Sequence, residues 1–262
     1  MKAANARAWV VVLMLGTAGA AQAELGVQLG VENFRWREFN ADGTRLLEER
    51  GPRLQVGGEW RLALGEQREY LLQLRGALYL GSVEYDGQAC VLGGSCAPYM
   101  NDSNYFGSVV ETTIARRYGV PTGTELFAGA GADNWRRDIQ GSAEVQGAVE
   151  DWTVLYLLAG GGAYWTGPAL RYHARAGLKW PFYTYEVPNL YDVSLEPEGR
   201  ASLFVRLAVD VLRDGRAQWG IGLYYDRYRF DASDRERSGS VLVWQPQSHQ
   251  DVIGIYGALY LQ

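Results

Sequence analysis

A period of two dominates the chain. Between Leu170 and Trp180, the residues Leu170, Tyr172, Ala174, Ala176, Leu178 and Trp180 alternate with Arg171, His173, Arg175, Gly177 and Lys179. Only an extended strand sorts such a pattern, because its successive side chains point to opposite faces. Four ionisable groups on one face must meet water or opposite charges, so the apolar face is the one turned to a large hydrophobic medium.

The alternation recurs along the sequence. Leu25, Val27, Leu29 and Val31 alternate with Gly26, Gln28, Gly30 and Glu32, and Leu54, Val56, Trp60 and Leu62 with Arg53, Gln55, Glu59 and Arg61. Leu72, Leu74, Leu78 and Leu80 are set against Gln73, Arg75 and Tyr79, and Leu203, Val205, Leu207, Val209 and Val211 against Ser202, Phe204, Arg206, Ala208 and Asp210. Trp219, Ile221, Leu223 and Tyr225 face away from Gly220, Gly222, Tyr224 and Asp226, and Ile253, Ile255, Leu259 and Leu261 from Gly254, Tyr256, Ala258 and Tyr260. Segments 104–116, 125–136 and 152–164 alternate less cleanly, the last being apolar on both faces.

These segments predict ten strands, with eight or twelve as the alternatives, and an even count returns both termini to one side of a membrane. Short connections at 65–67, 118–123, 166–168 and 214–216 carry Gly or Pro, whereas long ones span 39–51, 86–103, 138–150, 186–199 and 231–250. Short and long alternate strictly, as periplasmic turns and extracellular loops do. The expected fold is all-β: a closed antiparallel up-and-down transmembrane β-barrel. The 33 glycines, 17 tyrosines and 9 tryptophans against 8 prolines suit closely approaching strands and interfacial girdles.

The beginning of the chain reads as a secretory signal peptide over 1–23. Lys2 and Arg7 are its positive region, Trp9 to Leu15 its short apolar core, and Ala21-Gln22-Ala23 its cleavage pattern. Cleavage after Ala23 leaves 24–262 as one barrel domain. The 25 Lys and Arg residues against 30 Asp and Glu give a net charge of −5, made more negative by loss of Lys2 and Arg7, which argues against nucleic acid as a partner. In an exported chain Cys90 and Cys96 are expected to close a small disulfide loop. Neither a metal-ligand spacing nor a cofactor motif occurs, so no metal or cofactor is expected.

Across the mature chain the sequence resembles small Gram-negative outer-membrane β-barrels. The resemblance is architectural: ten strands are similar to the omptin proteases or the ten-stranded adhesins, and eight would be similar to the OmpA-like group. It implies the bacterial outer membrane as location, outer-membrane lipid and lipopolysaccharide as surroundings, and long loops open to an extracellular partner. The chain ends Tyr260-Leu261-Gln262, whereas such proteins usually end on an aromatic residue.

Inward faces are expected to collect Glu32, Arg53, Glu59, Arg61, Arg75, Glu111, Asp133, Arg171, His173, Arg175, Lys179, Arg206, Asp210 and Asp226. Their near balance of charge predicts ion pairs crossing the lumen, because an unpaired buried ion costs several kcal/mol. Carboxylates assigned to the long loops, among them Glu48, Glu49, Asp138, Glu150 and Glu186, read as a solvated acidic surface, with Arg235 and Arg237 near lipopolysaccharide phosphates. Val241 to Trp244 reads as a hairpin extension or a partner-binding patch.

Catalysis has little material. His173 and His249 are the two histidines, and Ser248-His249-Gln250-Asp251 places neighbours on alternating sides of a strand, which cannot form a triad. The omptin resemblance implies Asp-x-Asp and Asp-x-His pairs, and neither occurs. No catalytic residue is therefore assigned. The leading expectation is a non-enzymatic structural or surface-interaction protein; a narrow gated pore for ions or small solutes comes second and an outer-membrane hydrolase third.

Overall fold

A computed structural model describes residues 22–90, 96–119 and 121–261. The predicted signal peptide lies outside these residues except for Gln22 and Ala23, which open the first strand. The described residues form strands β1 (Gln22–Phe39), β2 (Arg45–Leu64), β3 (Tyr70–Cys90), β4 (Cys96–Tyr118), β5 (Thr122–Ile139), β6 (Ala148–Thr166) and β7 (Leu170–Pro188). They continue with β8 (Gly199–Arg200), β9 (Ser202–Arg213), β10 (Arg216–Phe230), β11 (Glu236–Ser238), β12 (Val241–Val243) and β13 (Gln247–Leu261). Ten of these, β1 to β7 with β9, β10 and β13, pair antiparallel with their sequence neighbours, and β13 pairs with both β10 and β1 to close the barrel. Closure leaves no unpaired edge, the condition for strands to cross lipid.

Burial settles which face meets oil. Leu29, Leu126 and Leu259 are 69%, 61% and 61% exposed, while Glu59, Lys179 and Asp210 are 3%, 2% and 2% exposed. Aliphatic side chains therefore coat the outside and charged ones fill the inside. Trp165, Tyr172 and Trp219 lie on this outer face near the short turns, and Phe106, Trp180 and Phe182 lie on it about ten residues higher.

The strands outrun the membrane. A tilted strand crosses the hydrocarbon in about 9–11 residues, yet β4 runs for 23 and β3 for 21. Above the apolar belt the outward residues become polar. On β5, Ala128, Ala130 and Ala132 give way to Asn134, Arg136 and Asp138, and on β6 Leu157 and Leu155 give way to Thr153 and Asp151. Arg136 and Asp151 join across these strands by two hydrogen bonds of 2.9 Å, and Arg50 meets Glu84 at 3.4 Å. The expected long loops are corrected accordingly. Much of 45–51, 86–90, 96–103, 148–150 and 186–188 is paired strand, because cross-strand ion pairs and inward aromatic residues sustain the ladder beyond the lipid.

Local chemistry explains the remaining features. Asp214 and Gly215, with φ of 51° and 75°, supply the two left-handed residues of a tight hairpin turn between β9 and β10. Inward glycines make room for tyrosine rings: a Cβ on Gly107 would stand 2.4 Å from the Tyr79 ring, and one on Gly131 2.4 Å from that of Tyr156. At β7, Tyr156 of β6 is opposite Pro181 and Leu155 is opposite Tyr183, so Phe182 is an extra residue. Pro181 cannot donate to the ladder, and the bulge falls where that donor is missing. The bulge reverses the inward parity of β7 from odd to even, turning Thr184 and Glu186 into the lumen. Val241–Val243 pairs with Glu236–Ser238, so the apolar strip forms a small hairpin above the barrel, with the Arg235 guanidinium 5.1 Å from the Trp244 ring centroid.

Leu29→Arg, on the lipid face of β1, should cost about 2–4 kcal/mol in barrel stability. Urea unfolding in lipid vesicles checks this; an unchanged midpoint would contradict the outward orientation.

Candidate functional site

The upper lumen, above the level of the lipid, is built around Arg137 of β5. Its Nε donates to Glu49 Oε1 and Oε2 at 3.1 and 3.0 Å, and its Nη1 donates to Glu38 Oε1 at 3.0 Å and Glu150 Oε2 at 2.9 Å. Glu49 also accepts from Ser103 Oγ at 2.5 Å and from the Tyr105 hydroxyl. Indole donors complete the carboxylates: Trp36 Nε1 reaches Glu38 at 2.8 Å and Trp152 Nε1 reaches Glu150 at 3.1 Å. Trp152 stacks on Trp135 at 5.3 Å and meets Trp36 edge-on at 5.2 Å, with Phe230 beside both. Charge and aromatic area thus close the barrel in one layer.

The layer is over-supplied with acid. Glu38, Glu49, Glu150 and Glu186 surround a single arginine, and Glu186 Oε2 is buried without a hydrogen-bond partner. Burial first, and then the neighbouring Glu150 and Glu38, push the Glu186 carboxyl well above its ordinary range. Burial also raises Glu38, opposed by Arg137 and reinforced by Glu150. Protonation of these two relieves a charge excess that one guanidinium cannot balance. This is the second correction to the sequence reading: Glu49 and Glu186 are buried and Glu150 part-buried members of the Arg137 layer, because the strands continue upward and the β7 bulge turns Glu186 inward.

The fourteen residues assigned to the lumen all lie on inward faces and group into tiers. In the upper middle tier Arg53 meets Glu32 at 2.5 Å, its guanidinium carbon 4.0 Å from the Phe34 ring centroid and 4.3 Å from that of Tyr79, while Tyr79 donates to Asp133 at 2.7 Å. Lys179 reaches Asp226 at 2.7 Å, and Arg206 pairs with Glu111 and approaches Asp226 at 3.8 Å, with Arg75 4.0 Å from the same carboxylate. Towards the short turns Arg61 bridges Glu59 at 2.5 Å and Asp210 at 2.9 Å, and Arg171 joins Asp210 at 2.8 Å to Glu24 at 2.7 Å. Glu125 receives Arg175 at 2.5 Å, His173 at 2.8 Å and Arg117 at 3.3 Å. A cavity of about 200 Å³ opens at this end, lined by Glu24, Arg61, Arg117, Tyr164, Arg171 and His173. Sequence reasoning missed Arg137, Glu38 and Glu125. Trp135-x-Arg137 and Trp36-x-Glu38, each inward at two-residue spacing, were the available signal.

The histidines are far apart in role. His173 sits among arginines near the short turns, and His249 faces outward while Ser248 faces inward and donates to the Pro246 carbonyl at 2.8 Å. No Ser-His pair forms there. Among the described residues no group of three or more His, Cys, Asp or Glu is arranged to hold a metal ion.

The outer-membrane protease OmpT of Escherichia coli superposes with a TM-score of 0.54 over 92% of this chain and 96% of its own, at 9% identity. This chain has the fold of an outer-membrane β-barrel. The transport unit of the autotransporter AIDA-I from Escherichia coli matches over 90% of each chain with 10% identity and a TM-score of 0.41. An outer-membrane channel from Pseudomonas putida F1 covers 93% of this barrel and 97% of its own chain with 12% identity and a TM-score of 0.39. No family model and no curated protein matches the sequence.

Removing the hub should be costly. Arg137→Ala leaves buried carboxylates unpaired and is expected to cost about 3–5 kcal/mol, read as a lowered urea midpoint. Raised native carboxyl pKa values mean that the folded state binds more protons than the unfolded one, so stability falls as pH rises from the ordinary carboxylate range through the raised values. Thermal unfolding should therefore occur at lower temperature near about pH 9 than near about pH 5, and Glu186→Gln should flatten that dependence.

Proposed function

We propose that this chain is a bacterial outer-membrane protein whose barrel is sealed by its own side chains and whose role is structural or surface-interacting, without a catalytic step. The Arg137 layer carries this reading. Arg137, Glu49, Trp36 and Trp152 are 1%, 0%, 0% and 2% exposed, a degree of filling that suits a plug and leaves little room for substrate.

Export by the segment 1–23, with cleavage after Ala23, belongs to this proposal, as does a Cys90–Cys96 disulfide. These cysteines are register partners at the tops of β3 and β4, on either side of residues 91–95, which lie outside the described residues. The wall of paired charges above the apolar belt is the surface offered to lipopolysaccharide and to an extracellular partner. It is built from continuous paired sheet rather than from loops.

A narrow gated pore is the second reading, favoured by Asp226. This carboxylate has Lys179, Arg206 and Arg75 within 2.7, 3.8 and 4.0 Å, so it can exchange partners without becoming unpaired. Planar-bilayer recording separates the two readings: the proposal predicts no conductance steps from the unsubstituted chain, and steps altered by Lys179→Ala would establish the pore instead. Non-reducing peptide mass spectrometry should show Cys90 and Cys96 in one cross-linked fragment, whereas two alkylatable thiols would remove the disulfide from the proposal.

A further inference from the structure

The outer wall carries a second charged cluster that the plug does not use. On β10, β13 and β1 the outward residues align in rows: Leu223, Ile255 and Val31, then Tyr225, Ile253 and Asn33, then Arg227, Asp251 and Arg35, then Arg229, His249 and Arg37. Val31, Ile253 and Ile255 are about half exposed and belong to the apolar belt. The cationic rows begin one step above it. That is the height at which the head groups of the outer leaflet meet the protein.

Within these rows positive charge exceeds what the neighbours neutralise. Asp251 is the one carboxylate in the two upper rows, and it is already engaged by Arg37 Nη2 at 2.6 Å, the Tyr225 hydroxyl at 2.6 Å and Arg227 Nε at 3.4 Å. Arg35 is turned to Glu48 at 2.7 Å, and Arg200, opposite Arg229 in register, is held by Asp231 at 2.5 Å. Nε of Arg37 and Arg229 and Nε2 of His249 are buried without a hydrogen-bond partner, and Arg227 Nε has only the 3.4 Å approach to Asp251. Arg37 and Arg227 remain 23% and 33% exposed, so their outer guanidinium nitrogens can be reached from outside. Burial, followed by Arg227, Arg229 and Arg37, holds the His249 imidazole below its ordinary range. Unpartnered guanidinium nitrogens on Arg37 and Arg229, the His249 ring nitrogen beside them and an uncompensated positive charge at one spot are the features of an anion-binding site.

We propose that Arg37, Arg227, Arg229 and His249 bind the phosphorylated head group of an outer-leaflet lipid. Guanidinium forks match the oxygens of a phosphate, and a phosphate fixed to acyl chains gains apolar contact with Ile253 in the row below and with Val31, Ile255 and Leu223 one row further down. A free phosphate lacks that second contact. The inference rests on the membrane reading of the fold and adds to it a specific lipid chemistry and place.

Native mass spectrometry of the full chain in detergent, with diphosphoryl lipid A and its dephosphorylated counterpart as probes, tests the site. The expected result is retention of the phosphorylated lipid, at least about tenfold weaker binding by Arg37→Ala/Arg229→Ala, and no change in Arg136→Ala, whose partner Asp151 lies elsewhere on the wall. Heat-modifiable gel mobility establishes that each variant is a folded barrel. Equal retention of the dephosphorylated lipid by such a folded chain, or its displacement by millimolar inorganic phosphate, would overturn the site while leaving the membrane reading intact. A chain with no heat-modifiable form would overturn both. On the unsubstituted protein, the His249 imidazole should titrate at higher pH when the phosphorylated lipid is bound; an unmoved titration would count against the site.

Discussion

Pairing of charge in a narrow lumen is the constraint on which the rest of the molecule depends. A ten-stranded barrel in lipid turns half of its side chains inward, where water is scarce and an unpaired ion costs several kcal/mol. The chain meets this by tiers: Arg61 with Glu59 and Asp210 near the short turns, Arg206 with Glu111 and Lys179 with Asp226 in the middle, and Arg137 with Glu49 and Glu150 at the top. Tyrosine hydroxyls reach the remaining acceptor sites, as the single Tyr260 O–H, 2.9 Å from both Glu59 and Asp210, is shared between the two carboxylates. The inward glycines follow from the same crowding, since rings such as Tyr79 and Tyr156 lie over their register partners Gly107 and Gly131 on the adjacent strand, where a Cβ would clash.

Much of this was legible in the sequence, because a barrel in lipid demands strict alternation with the aliphatic set outward. Strand identity follows from period two, pairing of neighbours from the short and long connections, and the inward position of residues such as Arg53 and Asp210 from the need of clustered charges for partners away from lipid. Strand length does not, because above the lipid the outer face becomes polar and alternation between two polar or aromatic faces carries no contrast. Glu49, Glu150 and Glu186 were therefore read as loop surface, although Glu49 and Glu186 are buried and Glu150 is only partly exposed. Glu186 was doubly hidden, as its direction depends on one extra residue beside Pro181.

The candidate sites show where sequence reasoning stops. Individual inward charges can be named from parity, but which arginine meets which carboxylate depends on strand tilt and on contacts such as Arg137 to Glu49, 88 residues apart. The outward rows of Arg227, Arg229 and Arg37 were illegible for a related reason. Their proximity exists only after β13 closes the barrel between β10 and β1.

The account turns on the direction of the two faces, and nitroxide accessibility along β1 reads that direction most directly. Single labels at positions 25 to 32, placed in a background lacking Cys90 and Cys96 and reconstituted in lipid, should alternate: Leu25, Val27, Leu29 and Val31 accessible to oxygen dissolved in the bilayer, and Gln28 and Glu32 accessible to neither oxygen nor a water-soluble nickel chelate. Collision of the odd positions with the aqueous chelate, together with oxygen access at the even ones, would contradict the outward aliphatic face and the paired lumen alike.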